Sequence, residues 1–319
     1  MRIVTMVNRN IGVKYLKELL KRRENIVGVV THPEDLPVST FPPDEYCVRK
    51  IAFENCLPVY QPKPENINGP KFIEVLKGLN PDLIISASFP VIFSKEILGI
   101  PRLGCVNTHR SFLPKYRGSW PDLWTIINGE HEAGVTIHYL NEGIDSGDII
   151  AQKSVKVSPV DTGFTLGFEK FSRTALELFK ETFPLIKEEK APGIPQNDEE
   201  ATYYSWQPKY AQINWTKSAV DIHNLVRALT YPHPAGGAFT FLAGEKLRVW
   251  RSKVVSQKRN CSHLQNDKVP GQVLGVTGQG LLVSTGEGLL LLTELEFEKD
   301  KEKNVFDYLE QITVAIILG

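Results

Sequence analysis

Asn107 and His109 are two polar residues whose types and spacing suit chemistry on a carbonyl group. They lie in the largely apolar stretch "GCVNTH" and are separated by one residue. If that stretch is a strand, both side chains point to the same face, because alternate side chains of a strand share a face. An amide N–H and an imidazole side by side can both donate to one carbonyl oxygen and stabilise negative charge that develops on it. Histidine can also move protons near neutral pH.

The segment "NEGIDSGDII" supplies Asp145, a carboxylate that could orient His109 and balance its charge. The preceding stretch "GVTIHYL" alternates like a strand, and we expect it to carry this loop to the same end of the sheet as His109. No nucleophile accompanies the three residues, because Ser111 lies outside any GxSxG elbow and no cysteine lies in a nucleophile motif. We therefore expect the substrate to supply the nucleophile, and acyl transfer to an amine is the predicted reaction class.

The elements that would position these residues alternate between apolar runs and amphipathic stretches. "RIVTMV", "IVGVV", "DLIISAS" and "GCVNTH" predict buried strands, with helical periodicity between them. This order predicts an α/β fold with a Rossmann-like, mostly parallel sheet and helices on both faces. The first turn, "NRNIG", lacks GxGxxG, so a dinucleotide fingerprint is not supported.

The C-terminal part has a different character, since short strand-like stretches there are joined by glycine turns. We predict a catalytic domain over residues 1–190 and a small β-rich domain over residues 209–319. The segment 191–208 between them is rich in Pro, Gly and polar residues and is the predicted linker.

Composition narrows the classes of function. The chain has 319 residues, of which 37 are basic and 37 acidic, so its formal net charge is zero. A protein whose whole surface binds nucleic acid carries a basic excess, so only a local basic patch remains open. Four scattered cysteines without CxxC indicate reduced thiols, and we expect no metal site. The short apolar run at the N-terminus predicts a first strand rather than a signal peptide, and we expect a cytoplasmic protein without a membrane segment.

The sequence resembles a known family in several places. "NTHRSFLPKYRGSWP" resembles the N-x-H-x-S-L-L-P-x-Y-R-G signature of 10-formyltetrahydrofolate-dependent formyltransferases, and "GVTIHYLNEGIDSGDIIAQ" resembles their downstream element. "INWTKSAVDIHNLVRAL" and "PHPAGGAFT" resemble the C-terminal domain shared by methionyl-tRNA formyltransferases and some amino-sugar formyltransferases. Within the signature, this chain departs from the usual Ile, Pro and Leu, and the departures are Thr108, Arg110 and Phe112.

The resemblance implies roles for particular residues. The family's catalytic Asn, His and Asp match Asn107, His109 and Asp145, and 10-formyltetrahydrofolate is the implied cosubstrate. The folate is expected along two segments, at Ser88, Phe89, Pro90, Val91, Ile92, Leu140, Asn141, Glu142, Gly143 and Ile144. The amine substrate is expected beside the loop after the catalytic strand, at Ser111, Lys115, Tyr116, Arg117 and Gly118, where two cations suit an anionic substrate.

The acceptor amine is less strongly indicated. Methionyl-tRNA formyltransferases resemble one another in a basic loop after the second strand, but here "THPEDLPVSTFPPDEYCVRK" has no cation between His32 and Arg49. Such a loop is poorly suited to tRNA phosphates. We therefore predict the amino group of a nucleotide-linked amino sugar as acceptor and keep methionyl-tRNA as the alternative. Basic residues of the second domain support that alternative, namely Lys209, Lys217, Lys246, Arg248, Arg251 and Lys253.

Other interpretations stay open at this point. A non-catalytic nucleotide-sugar or folate-binding protein could share the fold, because fold alone does not establish function. A glycinamide ribonucleotide formyltransferase normally lacks a second domain, and a hydrolase that deformylates the folate is a further alternative. A homodimer is permitted by the apolar strands of the small domain. His138 alternates with Ile137 on a predicted strand and is interpreted as structural.

Overall fold

The chain divides into two units, each with its own sheet. The computed structural model describes residues 1–33, 47–230, 236–255, 269–301, 305 and 317–319. Unit 1 comprises Met1–Asp122, Glu132–Lys156 and Leu166–Ser205. Unit 2 comprises Leu123–His131, Val157–Thr165 and Trp206–Gly319. The predicted domain limits near residues 190 and 208 stay a prediction.

Unit 1 is built on a sheet that has, within the described residues, seven strands in the order β3-β2-β1-β4-β5-β7-β8. Strands β1 to β5 pair in parallel, whereas β7 and β8 are antiparallel additions. Two further short strands, β6 and β9, pair with each other. The strands are β1 (Arg2–Val7), β2 (Asn25–Val30), β3 (Val59–Tyr60), β4 (Leu83–Ala87), β5 (Cys105–His109), β6 (Arg117–Gly118), β7 (Glu132–Tyr139), β8 (Ile149–Lys156) and β9 (Tyr203–Tyr204). The predicted mostly parallel α/β sheet is confirmed.

Helices lie between the strands as the alternation predicted. The third helix begins with Pro70, which suits a first turn because the N–H groups there have no partner within the helix. It ends at Leu79, and the next residue, Asn80, has the left-handed conformation common after a helix. The helices are α1 (Arg9–Lys21), α2 (Val48–Glu54), α3 (Pro70–Leu79), α4 (Lys95–Leu98), α5 (Pro121–Ile127) and α6 (Phe171–Lys187).

One face of the sheet is tied to α1 and α6 through Tyr15. This buried side chain stacks on Phe179 of α6, with ring centroids 4.2 Å apart. Its hydroxyl lies 2.7 Å from Thr108 Oγ1 on β5 and donates to the carbonyl of Ala175 at 3.1 Å. Because side chains alternate along a strand, Thr108 on this face directs Asn107 and His109 to the other face.

The other face carries an apolar cluster under α3 and α4. Leu76 of α3 and Ile97 of α4 are fully buried there against Ile84 and Cys105 of the sheet. Phe89, Val91 and Leu140 are partly buried and pack against this cluster at its margin. Burial raises the pKa of the Cys105 thiol to about 12, so this thiol stays protonated at neutral pH.

The strand β7 runs opposite to the direction that our sequence interpretation requires. In its antiparallel pairing with β5, Thr136 lies opposite His109 and Tyr139 lies opposite Val106. The expectation that β7 delivers the Asp145 loop to the His109 end of the sheet is therefore wrong. The loop leaves at the other end and folds back, and the chain continues into β8, an edge strand that the sequence analysis did not identify.

Unit 2 contains, in its described part, a five-stranded antiparallel sheet in the order β10-β11-β14-β13-β12. Helix α7 (Ala219–Ala228) packs against β11 and begins at Ser218, whose Oγ accepts the Asp221 N–H at 3.1 Å. The predicted small β-rich C-terminal domain is confirmed. Its strands are β10 (Ala238–Leu242), β11 (Glu245–Val254), β12 (Val273–Thr277), β13 (Gly280–Ser284) and β14 (Leu289–Phe297).

Some sequence-based expectations fall on residues that the structure does not describe. These are residues 34–46 of the segment used to judge the acceptor, residues 232–235 of "PHPAGGAFT", most of the apolar C-terminal tail, Cys261 and His233. Among the helices of the described ranges, none combines the length and apolar character that crossing a bilayer requires.

We predict that Tyr15→Phe destabilises the protein by about 1–2 kcal/mol, because the Thr108 hydroxyl and the Ala175 carbonyl lose a buried partner. Urea unfolding followed by circular dichroism would measure the change. Tyr60→Phe on edge strand β3 is the matched control and should shift stability by less than about 0.5 kcal/mol. Equal stabilities of the two variants would contradict the assigned role of Tyr15.

Candidate active site

Strand register brings three side chains to one face of the sheet. Asn107 on β5 lies directly opposite His138 on the neighbouring antiparallel strand β7. His109 is two residues further along β5 and therefore shares the face of Asn107. The rings of His109 and His138 meet edge to face, with centroids 6.5 Å apart. The interpretation of His138 as a structural residue did not anticipate this position.

Asp145 reaches the same face from the loop after β7. Its Oδ2 accepts the backbone N–H of Gly118 at 2.9 Å, and its Oδ1 lies 3.4 Å from the Asn107 amide nitrogen. The loop turns tightly at Asp145, whose φ of 48° lies in the left-handed region. A Cβ at Gly147 would lie 1.9 Å from the carbonyl oxygen of Tyr139, so the fold-back of this loop requires glycine there.

His138 orients the Asn107 amide. Its Nδ1 lies 2.8 Å from the carbonyl oxygen of Tyr139, and a carbonyl can only accept, so Nδ1 carries the proton. Nε2 is then an acceptor, and the Asn107 amide nitrogen donates to it at 3.2 Å. This hydrogen bond fixes which side of the amide faces Asp145.

His109 is held between a carbonyl and a carboxylate. Its Nε2 donates to the carbonyl oxygen of Tyr116 at 2.7 Å, and its Nδ1 lies 3.5 Å from Asp145 Oδ2. The ring is buried, with only 7% of the side chain exposed. Its orientation therefore depends on the backbone of the loop that contains Tyr116.

Asp145 is a largely buried carboxylate, with 15% of its side chain exposed, and it stays ionised. Burial by itself would raise its pKa, because low-dielectric surroundings disfavour charge. The neighbouring His109 and the Gly118 N–H outweigh burial and hold the pKa of Asp145 below its usual range. The site therefore presents a negative charge next to two imidazoles at neutral pH.

The loop predicted to meet the substrate contains residues in different surroundings. Ser111 is buried and its Oγ donates to the carbonyl of Lys115 at 2.6 Å, whereas the Lys115 side chain is exposed. Tyr116 stacks on Tyr204, with centroids 5.0 Å apart. Gly118 has a φ of 102° and lies so close to Tyr204 that an added Cβ would be 2.3 Å from its carbonyl oxygen.

Arg117 is held by the protein rather than directed to solvent. It is 1% exposed, and its guanidinium donates to the Tyr203 hydroxyl at 2.6 Å and pairs with Asp198 at 2.8 Å. Gln196 Oε1 accepts from its Nε and Nη2 at 3.1 and 2.8 Å. The predicted cation for an anionic substrate is thus buried and engaged, and Lys115 is the exposed cation of this loop within the described residues.

The residues predicted to hold the folate differ in their surroundings. Phe89, Val91 and Leu140 are partly buried beside the apolar cluster, where they could contact a flat heterocycle. The Ser88 Oγ accepts from Arg110 at 2.9 Å. The others are exposed on the two loops, namely Pro90, Ile92, Asn141, Glu142, Gly143 and Ile144.

Gln196 is a second residue that the sequence analysis missed. It lies in the predicted linker and donates to the carbonyls of Asp145 and Gly147 at 2.9 and 2.7 Å. No local pattern in "GIPQNDEE" identifies it, because its partners are about 50 and 80 residues away in the chain. Within the described residues, no group of three or more His, Cys, Asp or Glu is arranged to hold a metal ion.

Comparison with known proteins connects this geometry to a family. The formyl transferase family model matches residues 1–175, and the formyl transferase C-terminal domain model matches residues 206–312. A methionyl-tRNA formyltransferase of Clostridioides difficile is 37% identical over 324 residues and is covered completely, as is this chain. One from Acetivibrio thermocellus is 36% identical, with 97% of this chain and 96% of the relative covered.

Solved structures share the fold at lower identity. WlaRD, a sugar 3N-formyl transferase solved in the presence of dTDP and 5-N-formyl-THF, has a TM-score of 0.68 and 22% identity. The match covers 94% of this chain and 98% of WlaRD. A methionyl-tRNA formyltransferase from Clostridium thermocellum has a TM-score of 0.55 and 20% identity, covering 82% and 95%.

The predicted amino-sugar acceptor is wrong. Curated relatives that match nearly the whole chain at 34–37% identity are all methionyl-tRNA formyltransferases. Net charge misled the prediction because it averages over the whole surface, whereas acceptor recognition is local. The other argument for an amino sugar was the lack of a cation between His32 and Arg49, and residues 34–46 of that segment lie outside the described structure.

The non-catalytic interpretation is also set aside, since both domain models and the relatives describe transferases. The matched domains cover both units, and the Asn, His and Asp that the family signature implies lie together in unit 1. The chain therefore belongs to the formyl transferase family, as a folate-dependent N-formyltransferase whose formyl donor is 10-formyltetrahydrofolate.

Proposed function

We propose that this enzyme formylates the amino group of methionyl-tRNA. The observation that carries the proposal is the match to methionyl-tRNA formyltransferases over both domains at 34–37% identity. The geometry of unit 1 is compatible with it, because the site offers hydrogen-bond donors and an ionised carboxylate but no nucleophile. An aminoacyl ester supplies the missing nucleophile through its own amine.

In the proposed reaction, the amine nitrogen of methionyl-tRNA forms a bond to the formyl carbon of the folate. The bond from that carbon to the folate nitrogen breaks, and the proton lost by the amine ends on the departing folate nitrogen. Asn107 and His109 are assigned as donors to the oxygen that gains negative charge, and each such donor is worth about 3 kcal/mol of barrier. Each donor would exchange a present contact for the substrate oxygen, His109 its bond to the Tyr116 carbonyl and Asn107 its 3.4 Å contact with Asp145 Oδ1. Asp145 is assigned to hold the His109 ring and to assist removal of the amine proton.

We assign the margin of the apolar cluster to the folate. Phe89, Val91 and Leu140 offer a partly buried apolar surface at this margin, which suits a planar ring. The backbone N–H of Leu140 is engaged with the Cys105 carbonyl at 2.7 Å, so this strand end is fixed next to β5. The exposed loop residues from Asn141 to Ile144 are assigned to the folate's solvent-facing part.

The basic residues of β11 contribute less to tRNA attraction than their number indicates. Arg251 pairs with Glu294 of the neighbouring strand β14 at 2.9 Å, and Lys246 pairs with Glu298, the residue after that strand, at 3.1 Å. Arg248 pairs with Glu298 as well. Cations already balanced by carboxylates release few counterions from nucleic acid, so recognition is expected to depend on local contacts rather than on a basic strand.

Assays with two acceptors test the proposed function. The purified enzyme with 10-formyltetrahydrofolate should produce formylmethionyl-tRNA, and the product is measured after ester hydrolysis as formylmethionine. A nucleotide-linked amino sugar under the same conditions is the negative control. Absence of formylmethionine, or faster formylation of the amino sugar, would overturn the proposal.

We predict that Asp145→Asn and Asn107→Ala each lower kcat by about 100-fold or more while the protein stays folded. The asparagine keeps the size of the side chain but removes the charge beside His109, and the alanine removes a donor. Steady-state kinetics on methionyl-tRNA and thermal unfolding would measure both effects. Turnover near the parent value in either variant would refute the assigned roles.

We also predict that His138→Phe lowers kcat by about 10-fold, because the Asn107 amide loses the acceptor that fixes its orientation. Exposed His131→Ala is the control and should leave kcat unchanged. A His138→Phe enzyme with parent kcat would show that the amide is oriented by other groups.

A further inference from the structure

The carboxamide of Gln196 joins two loops that carry the assigned catalytic groups. Its nitrogen donates to the carbonyls of Asp145 at 2.9 Å and Gly147 at 2.7 Å. Its oxygen accepts from Arg117 Nε at 3.1 Å and Nη2 at 2.8 Å. A carboxamide has two donor hydrogens and an oxygen with two lone pairs, so all four of its positions are used.

Arg117 extends this link into the loop after β5. Its backbone N–H donates to the Thr202 carbonyl at 2.8 Å, and its guanidinium is closed in by Tyr203 and Asp198. The residue before it, Tyr116, accepts the His109 Nε2–H. The residue after it, Gly118, donates its N–H to Asp145. A displacement of Arg117 would therefore also move the Tyr116 carbonyl and the Gly118 N–H, which bond His109 and Asp145.

The Asp145 loop is closed at its base by the Tyr139 N–H, which donates to the Asp148 carbonyl at 2.9 Å, and Asn141 Oδ1 accepts from the Ser146 hydroxyl within it at 2.9 Å. The loop folds back from the end of β7, and Asp145 has a left-handed backbone conformation. Catalytic groups must be held within about 0.5 Å of their working geometry, and loops achieve this less well than strands. Gln196 bonds the backbone of the loop at the catalytic residue itself and two residues later.

We infer that Gln196 is a positioning residue for formyl transfer, one that sets the distance between the Asp145 carboxylate, the Gly118 N–H and the His109 ring. The inference rests on the proposed function for its kinetic test, since Asp145 and His109 act there. It assigns an active-site role to a segment that sequence composition indicates is only a linker. Gln196 acts through its neighbours and does not itself touch the reacting atoms.

Two substitutions distinguish a positioning role of Gln196 from a role limited to holding the Arg117 side chain. Gln196→Met keeps the length of the side chain and removes all four hydrogen bonds. Gln196→Glu retains an acceptor for the buried Arg117 guanidinium but places oxygen against the carbonyls of Asp145 and Gly147, which lose their donor. If Gln196 only supported Arg117, the glutamate variant would behave like the parent. Asn197→Ala is the matched control, because this neighbouring amide donates to Glu200 at 3.0 Å and accepts the Glu199 N–H at 3.1 Å, and neither partner is an assigned catalytic group.

The kinetic test compares kcat and KM for formylation of methionyl-tRNA. We expect kcat to fall about 10- to 100-fold in both Gln196 variants, with each KM within about 3-fold of the parent value. Gln196→Glu should stay folded and unfold in one cooperative thermal transition, as the parent does, and Asn197→Ala should keep the parent kcat. Parent kcat in Gln196→Glu, or a loss confined to KM, would overturn the inference.

A structural test does not depend on the acceptor. Crystal structures of the parent and of Gln196→Met would give the distance from Asp145 Oδ2 to the Gly118 nitrogen, which is 2.9 Å here. We expect this contact to be lost in the variant, and an unmoved carboxylate would overturn the inference. A parent enzyme that fails to formylate methionyl-tRNA would instead count against the proposed function, and this crystallographic comparison would still decide the role of Gln196.

Discussion

The largely buried negative charge of Asp145 is the constraint on which the arrangement of the site depends. A carboxylate removed from water is costly unless hydrogen bonds and opposite charge compensate it. Here the compensation comes from the Gly118 N–H, the Asn107 amide and the His109 imidazole, and His138 holds the Asn107 amide in place. These groups belong to β5, β7 and the loop after β5, so satisfying one charge fixes the relative position of three separate stretches of chain.

The sheet supplies the rigid side of this arrangement. Antiparallel register places Asn107 opposite His138, and alternation places Thr108 on the reverse face, where Tyr15 anchors it to α1 and α6. Asn107 and His109 therefore lie on a strand whose opposite face is packed against α1 and α6. Asp145 and Tyr116, in contrast, lie on loops, and their positions depend on close backbone contacts that require glycine at 118 and 147. The site combines a fixed pair of donors with a carboxylate whose position depends on its surroundings.

The fold and the net charge of this chain do not by themselves identify its acceptor. The chain shares its fold with a sugar 3N-formyl transferase at 22% identity, yet its relatives at 34–37% identity are named for methionyl-tRNA. Proteins that share this fold therefore carry the names of different acceptors, and the fold alone does not identify the acceptor. Zero net charge does not exclude a nucleic-acid substrate, because ion pairs such as Arg251 with Glu294 balance cations locally while other surfaces can make specific contacts.

The sequence by itself determined the α/β class, the β-rich C-terminal domain and the candidate trio of Asn107, His109 and Asp145. Each of these depends on local periodicity or on a contiguous motif, which the order of residues encodes directly. Only the tertiary structure decided the direction of β7, the fold-back of the Asp145 loop, the location of His138 within the site and the four bonds of Gln196. These depend on strand pairing and on contacts between residues about 30 to 80 positions apart, and no local pattern specifies such contacts because backbone carbonyls and N–H groups are the same in every residue. For the same reason Arg117 reads as an exposed cation in the sequence but is a buried, fully engaged one in the fold.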